Sequence, residues 1–249
     1  MIKLAFIFAF LFFCLSVYGN TPQESVSRKN SFSAAKYIIP TTLITYGVVT
    51  RFGESLQNFD HNIHEEIKKQ GFEKIHFDDY LQYAPPVAMY VLNLRGVKSE
   101  HNLRDQTIIL ANAVLLTGIV VHSVKNTTKV SRPNLGAKNS FPSGHTATAF
   151  VGAHILYKEY KNISPLIGVG GYLSATTVGI FRMINQRHWF SDVITGAGVG
   201  ILCSEISYLM LPFYHRLFGV NDDKKGINSL LITPLIGTDF YAVGLILRF

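Results

Sequence analysis

Residues 162–181 read NISPLIGVGGYLSATTVGIF, twenty positions without a charged side chain, closed by Arg182. The run is too long for a buried strand and is read as helix. Its length falls within the roughly 17 to 25 residues that cross a bilayer. Gly168, Gly170 and Gly171 would each cost about 1 kcal/mol in an exposed soluble helix, whereas between lipid-embedded helices small residues allow close approach. Of the neighbouring runs, residues 37–50, 80–94, 107–123 and 139–157 lack Asp, Glu, Lys and Arg, and 193–214 is broken only by Glu205. The last run carries Gly196 and Gly200 at small-xxx-small spacing. The expected fold class is all-α: a membrane-embedded bundle of about six helices, the alternative being the core helices of an exported domain.

Composition agrees with either reading. Of 249 residues, 48% are hydrophobic and 16% charged, with a mean hydropathy of +0.22; an ordinary soluble domain is roughly a quarter charged. A free cytosolic enzyme, a disordered chain and a fibrous protein are all disfavoured. The net charge of +7 favours an anionic partner.

The ends differ from the middle. Met1-Ile2-Lys3 is a short basic start, residues 4–17 are almost wholly apolar, and Gly19 precedes polar Asn20-Thr21-Pro22. Residues 1–19 thus read as a secretory signal peptide cleaved after Gly19, the alternative being an uncleaved anchor. Bulky Phe12 and Phe13 before Cys14 argue against lipidation. Once Cys14 is removed, Cys203 is the single thiol and no internal disulfide forms. The helical domain is assigned to residues 20–220 and a tail to 221–249. In the tail, Ile232, Thr233, Ile236, Tyr241, Val243 and Ile246 alternate imperfectly around Gly237-Thr238-Asp239, as in a short C-terminal β-hairpin. Within residues 51–79, Phe59, Ile63 and Ile67 recur at helical spacing among His61, Glu65, Glu66, Lys68 and Lys69. This is an amphipathic helix, either lying on a membrane surface or packed on the domain with its charged face solvated.

Chemistry concentrates between Lys125 and Asp192. Lys125 and Arg132 stand seven residues apart, and Pro133 follows. Pro142-Ser143-Gly144-His145 opens the next helical run, where free backbone N–H groups at the positive end of the dipole hold oxyanions. Arg182 closes residues 162–181, and His188 and Asp192, four residues apart, can meet across one helical turn. Taken singly, each has an ordinary structural role: Lys125 and Arg132 as flanks of a membrane helix, Ser143 as an N-cap, His145 as a polar helix residue, His188 and Asp192 as a local pair, Arg182 as compensation of a helix dipole. Order and spacing together point elsewhere.

The set resembles the type 2 phosphatidic acid phosphatase superfamily, which includes membrane lipid phosphatases, bacterial nonspecific acid phosphatases and vanadium haloperoxidases. Its signature is a lysine, six residues and Arg-Pro; then Pro-Ser-Gly-His; then Ser-Arg, five residues, His, three residues and Asp. Lys125/Arg132-Pro133, Pro142 to His145, and Arg182/His188/Asp192 match at those spacings. One departure is Phe181, where the pattern has serine, which puts one pocket hydrogen bond in doubt. The resemblance implies that His188 is the nucleophile giving a phosphohistidine, that Asp192 fixes its tautomer, and that His145 is the leaving-group acid and later the base. Lys125, Arg132, Ser143, Gly144 and Arg182 would bind the phosphate. A transferring phosphoryl group spreads charge over three oxygens, so catalysis is mostly positioning and charge stabilisation. Three cations supply that without a metal or other cofactor.

The expected activity is a metal-independent phosphatase acting on a phosphate monoester or pyrophosphate, preferably of a lipid: lipid A, an isoprenoid pyrophosphate or a glycerolipid phosphate. The expected location is a membrane, with the site on the periplasmic or extracytoplasmic side. A soluble periplasmic acid phosphatase and a vanadium haloperoxidase would use the same residues. A non-catalytic anion-binding or transport protein would use the cations but has little need of two histidines with Asp192. A nucleic-acid partner is disfavoured because the basic residues are dispersed and the leader points to export. The oligomeric state is left open.

Overall fold

Eight helices are present among the described residues: α1 (Ala35–Thr50), α2 (Glu54–Lys69), α3 (Asp78–Leu81), α4 (Ala84–Leu94), α5 (Leu103–Thr128), α6 (Gly144–Tyr160), α7 (Pro165–Ile184) and α8 (Phe190–Leu217). The computed structural model describes residues 35–73, 77–218, 229–236 and 241–248; the expected signal peptide, residues 1–19, lies outside them. The six apolar runs each contribute a helix, and the amphipathic segment supplies α2. The eighth helix is the single turn α3, which splits off the run 80–94. The break is local chemistry: Pro85 and Pro86 stand in the first turn of α4, where a missing N–H costs no intrahelical bond, so α4 starts anew.

The chain divides into two compact units, Met1–Tyr208 and Leu209–Phe249. In the second, β1 (Ser229–Ile236) and β2 (Tyr241–Arg248) pair antiparallel, Ser229 opposite Arg248 and Ile236 opposite Tyr241. That is the expected C-terminal hairpin.

In the first unit α6 and α7 form the centre. Ala149 and Ala153 of α6, Ala175 and Val178 of α7, and Phe77 and Leu81 around α3 make one buried cluster. α8 lies against α6 at a distance that only glycine permits. A Cβ on Gly196 would fall 2.5 Å from the Ser143 carbonyl oxygen, and one on Gly200 would strike the Ala147 carbonyl. The small-xxx-small pair therefore fixes the start of α8 against the start of α6. Helices α5, α7 and α8 are long and apolar enough to cross a membrane by length and composition. Leu115 and Ile119 of α5 and Leu173 of α7 are exposed, an outward apolar surface that a lipid phase would cover.

Candidate active site

Three segment ends meet at one end of α6. Ser143 is its N-cap and is wholly buried. The Ser143 N–H donates to the Asp192 carbonyl at 3.0 Å, so that N–H is committed to the α6–α8 junction and does not remain for a ligand. The Ser143 hydroxyl shares a 2.8 Å hydrogen bond with Thr146 Oγ1. Gly144 begins the helix and His145 follows it.

α8 starts at Phe190, two residues after His188, and places Asp192 in its first turn. The Asp192 carboxylate turns back to accept the Trp189 N–H at 2.9 Å. His188 Nδ1 lies 3.6 Å from Asp192 Oδ2, slightly beyond hydrogen-bond range. Ser140 bridges the gap: its hydroxyl donates to Asp192 Oδ2 at 2.5 Å and lies 3.5 Å from His188 Nδ1. Ser140 is wholly buried and precedes the Pro142–His145 motif by two residues; nothing in its spacing marked it. Asp192 Oδ1 is buried without a hydrogen-bond partner.

Burial holds the His188 imidazole down to about 4; the Asp192 contact opposes this, while the positive charges of Lys125 and Arg182 add to it. His188 is therefore neutral at neutral pH, the form with a nucleophilic lone pair. With Nδ1 facing Ser140 and Asp192, Nε2 is the nitrogen left for chemistry.

The cations come from two helix ends and the connection between α5 and α6. Lys125, in the last turn of α5, donates to the Asn139 carbonyl. Arg132 lies on the connection from α5 to α6, and its Nε is buried without a partner. Burial lowers the Arg132 pKa, and the charges of Arg182 and Arg187 lower it further, against Asp192. Arg187 is a fourth cation that the spacing left without a role. Arg182, in the last turn of α7, is buried and bound by two carboxylates, Asp78 Oδ2 at 2.6 Å and Asp79 Oδ1 at 3.3 Å. Asp79 Oδ1 also reaches His145 Nε2 at 3.0 Å. Burial lowers the His145 pKa, then Arg182 lowers it further, with Asp79 and Asp78 opposing. Neither aspartate belongs to the spacing pattern. Phe181, the departure from that pattern, packs edge-on against Phe77 with ring centroids 6.5 Å apart. An aromatic anchor at 181 thus braces the turn that carries Asp78 and Asp79.

The amphipathic helix is tied to the same place. Asp60 of α2 accepts the Ser191 N–H at 3.0 Å and the Ser191 hydroxyl, and pairs with Arg51 at 3.1 Å. Burial raises the Asp60 pKa against those hydrogen bonds and Arg51. Beside it a cleft of about 740 Å³ opens between the start of α2 and the end of α5, with Val48, Arg51, Phe52, Arg132, Phe141 and Trp189 among its walls. Among the described residues, no group of three or more His, Cys, Asp or Glu side chains is disposed to hold a metal ion.

Lys125 and Arg182 bear electrostatically on the neutral His188, and Arg132 on the same side feels Arg182 and Asp192, so cations from three chain segments surround a carboxylate-backed histidine. Residues 106–216, a little under half of the chain, match the model of the PAP2 superfamily. Among curated relatives, it is 34% identical to a lipid A 1-phosphatase of Porphyromonas gingivalis over 213 residues, 84% of this chain and 44% of that protein. It is 27% identical to lipid phosphate phosphatase 1 of Arabidopsis thaliana over 176 residues, 54% of each. The chain spans about half the length of these relatives. Among solved structures, LpxE of Aquifex aeolicus aligns over 53% of this chain and 84% of that one, at 26% identity and a TM-score of 0.43. A transmembrane PAP2-type phosphatidylglycerolphosphate phosphatase from Bacillus subtilis aligns over 75% and 99%, at 18% identity and a TM-score of 0.45.

Proposed function

We propose that the protein is a membrane-embedded lipid phosphatase that works through a phosphohistidine, with the phosphate of lipid A as its preferred substrate. The observation that carries the reading is the buried, neutral His188 backed by Ser140 and Asp192. Arg132 and Arg182 bind the phosphate oxygens through their guanidinium forks, Lys125 adds a point charge, and Gly144 offers its N–H at the start of α6. His188 Nε2 attacks phosphorus in line. An N–P bond forms, the ester P–O bond breaks, and His145 gives its proton to the departing alkoxide. Asp192 stabilises the cationic phosphohistidine. His145, now neutral, takes a proton from water; the hydroxide attacks phosphorus and releases inorganic phosphate and neutral His188.

Two features favour a lipid over a small soluble ester. The cleft beside Arg132 has mostly apolar walls, and α5, α7 and α8 suit a bilayer. The name of the Porphyromonas gingivalis relative favours lipid A among the lipids. The site then faces the extracytoplasmic leaflet, consistent with a leader on residues 1–19. The test is phosphate release by detergent-solubilised protein from lipid A, isoprenoid pyrophosphates and glycerolipid phosphates, with His188→Ala as control. Lipid A is expected to be turned over fastest; rapid turnover of small soluble esters with no activity on any lipid would overturn the reading.

A further inference from the structure

We infer that Asp79 is a positioning residue that trades partners during the reaction: without substrate its carboxylate lies across Arg182 and His145, and an incoming phosphate displaces it from Arg182 and leaves it on His145. This rests on the phosphatase reading of the same site. A single oxygen, Asp79 Oδ1, contacts both Arg182 Nη1, at 3.3 Å, and His145 Nε2, at 3.0 Å. A bound phosphate ester must put an oxygen at that point, because the bridging oxygen has to approach the acid while the phosphoryl group is held by the arginine.

The two aspartates differ in how firmly they hold. Asp78 is wholly buried, lies 2.6 Å from Arg182 and also accepts from Asn185 Nδ2 at 3.2 Å. It offsets the buried charge of Arg182 and holds the side chain in place. Asp79 has 47% of its side chain exposed and makes the longer contact; an ion pair so open to water is weak and yields readily to a dianion. Left on His145, the carboxylate keeps the imidazole aimed and favours its protonated form, which the leaving-group acid requires. Phe77 against Phe181, with Leu81 in the core, fixes the turn that presents it.

The experiment compares the full-length protein with Asp79→Asn and Asp79→Glu in detergent micelles, measuring inorganic phosphate binding by calorimetry and lipid phosphate turnover. Asp79→Asn removes a competing negative charge, so phosphate is expected to bind roughly five- to tenfold more tightly. The same substitution is expected to lower kcat/KM about a hundredfold, the scale of losing a well-placed acid. Asp79→Glu keeps the charge and should keep phosphate affinity near wild type. Affinity and turnover falling together would mean that Asp79 only supports Arg182, and no change in either would mean that it does nothing; both overturn the inference. His188→Ala separates the two readings: if it kept its turnover the phosphohistidine would fall, while the phosphate-binding comparison would still decide Asp79.

Discussion

Each end of α6 holds a buried carboxylate facing a histidine, and the two are finished differently. At the Tyr160 end, Glu159 is saturated: Oε1 accepts from Tyr208 at 2.7 Å and lies 2.9 Å from His101 Nδ1, while Oε2 accepts from the His101 N–H at 2.9 Å and Gln106 Nε2 at 3.1 Å. At the Gly144 end, roughly 24 Å away along the helix at 1.5 Å per residue, Asp192 fills one oxygen and leaves the other buried and bare, and Arg132 and Arg182 each hide an unpartnered Nε. Buried polar groups are normally satisfied, because a bare one costs stability. The complete network holds helices together. The incomplete one leaves two guanidinium donors without acceptors, which the oxygens of a phosphate would supply under the proposed function.

That contrast breaks first at His188. His188→Ala should lower phosphate release by about 10⁴-fold or more, as expected when a covalent nucleophile is lost, with the melting temperature and helical circular dichroism retained. A folded His188→Ala protein with near-normal activity would put the unfilled polar atoms down to imperfect packing. Asp192→Asn comes next, at about 10³-fold by analogy with carboxylates that set a histidine tautomer.

The pH profile sharpens the same point. In kcat/KM the nucleophile must be neutral and the acid protonated. His188, faced by Asp192, Lys125 and Arg182, stays neutral down to about 4. His145, faced by Arg182, Asp78 and Asp79, loses its proton below the usual histidine value of 6.5. Activity should therefore peak on the acid side of neutrality, and a maximum near pH 8 would contradict both assignments. Ser140→Ala should cost about tenfold, the value of one lost hydrogen bond to a charged group, because His188 then reaches Asp192 across 3.6 Å unaided.

How much of this was legible in the sequence follows from the range of the forces. Helices α1, α4, α5, α6, α7 and α8 were readable because burial repeats along a run, and α2 because its apolar stripe does. The division at α3 was missed, since it depends on where Pro85 and Pro86 restart the chain. Lys125, Arg132, Ser143, Gly144, His145, Arg182, His188 and Asp192 are nominated by fixed local spacing, and that spacing is all the sequence offers for them. Ser140, Asp78, Asp79, Asp60 and Arg187 are not: Asp78 meets Arg182 across 104 residues, and Asp60 meets Ser191 across 131. Partners so distant are chosen by tertiary packing, which leaves no periodic trace. At Phe181 the spacing pattern puts one pocket hydrogen bond in doubt but gives no hint of the packing partner the structure shows, Phe77.

The smallest effect on catalysis belongs to the finished end, where the polar network contributes to stability alone. Glu159→Gln should leave kcat/KM per folded molecule unchanged while costing about 1 to 3 kcal/mol, because a saturated buried acceptor is replaced by a group that must donate to neighbours that are themselves donors. The cost should depend on pH. Burial alone would lower the His101 pKa, but its hydrogen bond and charge interaction with Glu159 more than reverse this and leave it raised. A raised folded-state value means the stabilisation is full below the unfolded histidine value of 6.5 and fades as pH climbs through the folded one. The gap in melting temperature between wild type and Glu159→Gln should therefore narrow from pH 5.5 to pH 8.5, whereas Asp192→Asn, at the end left open for phosphate, should show its loss in turnover.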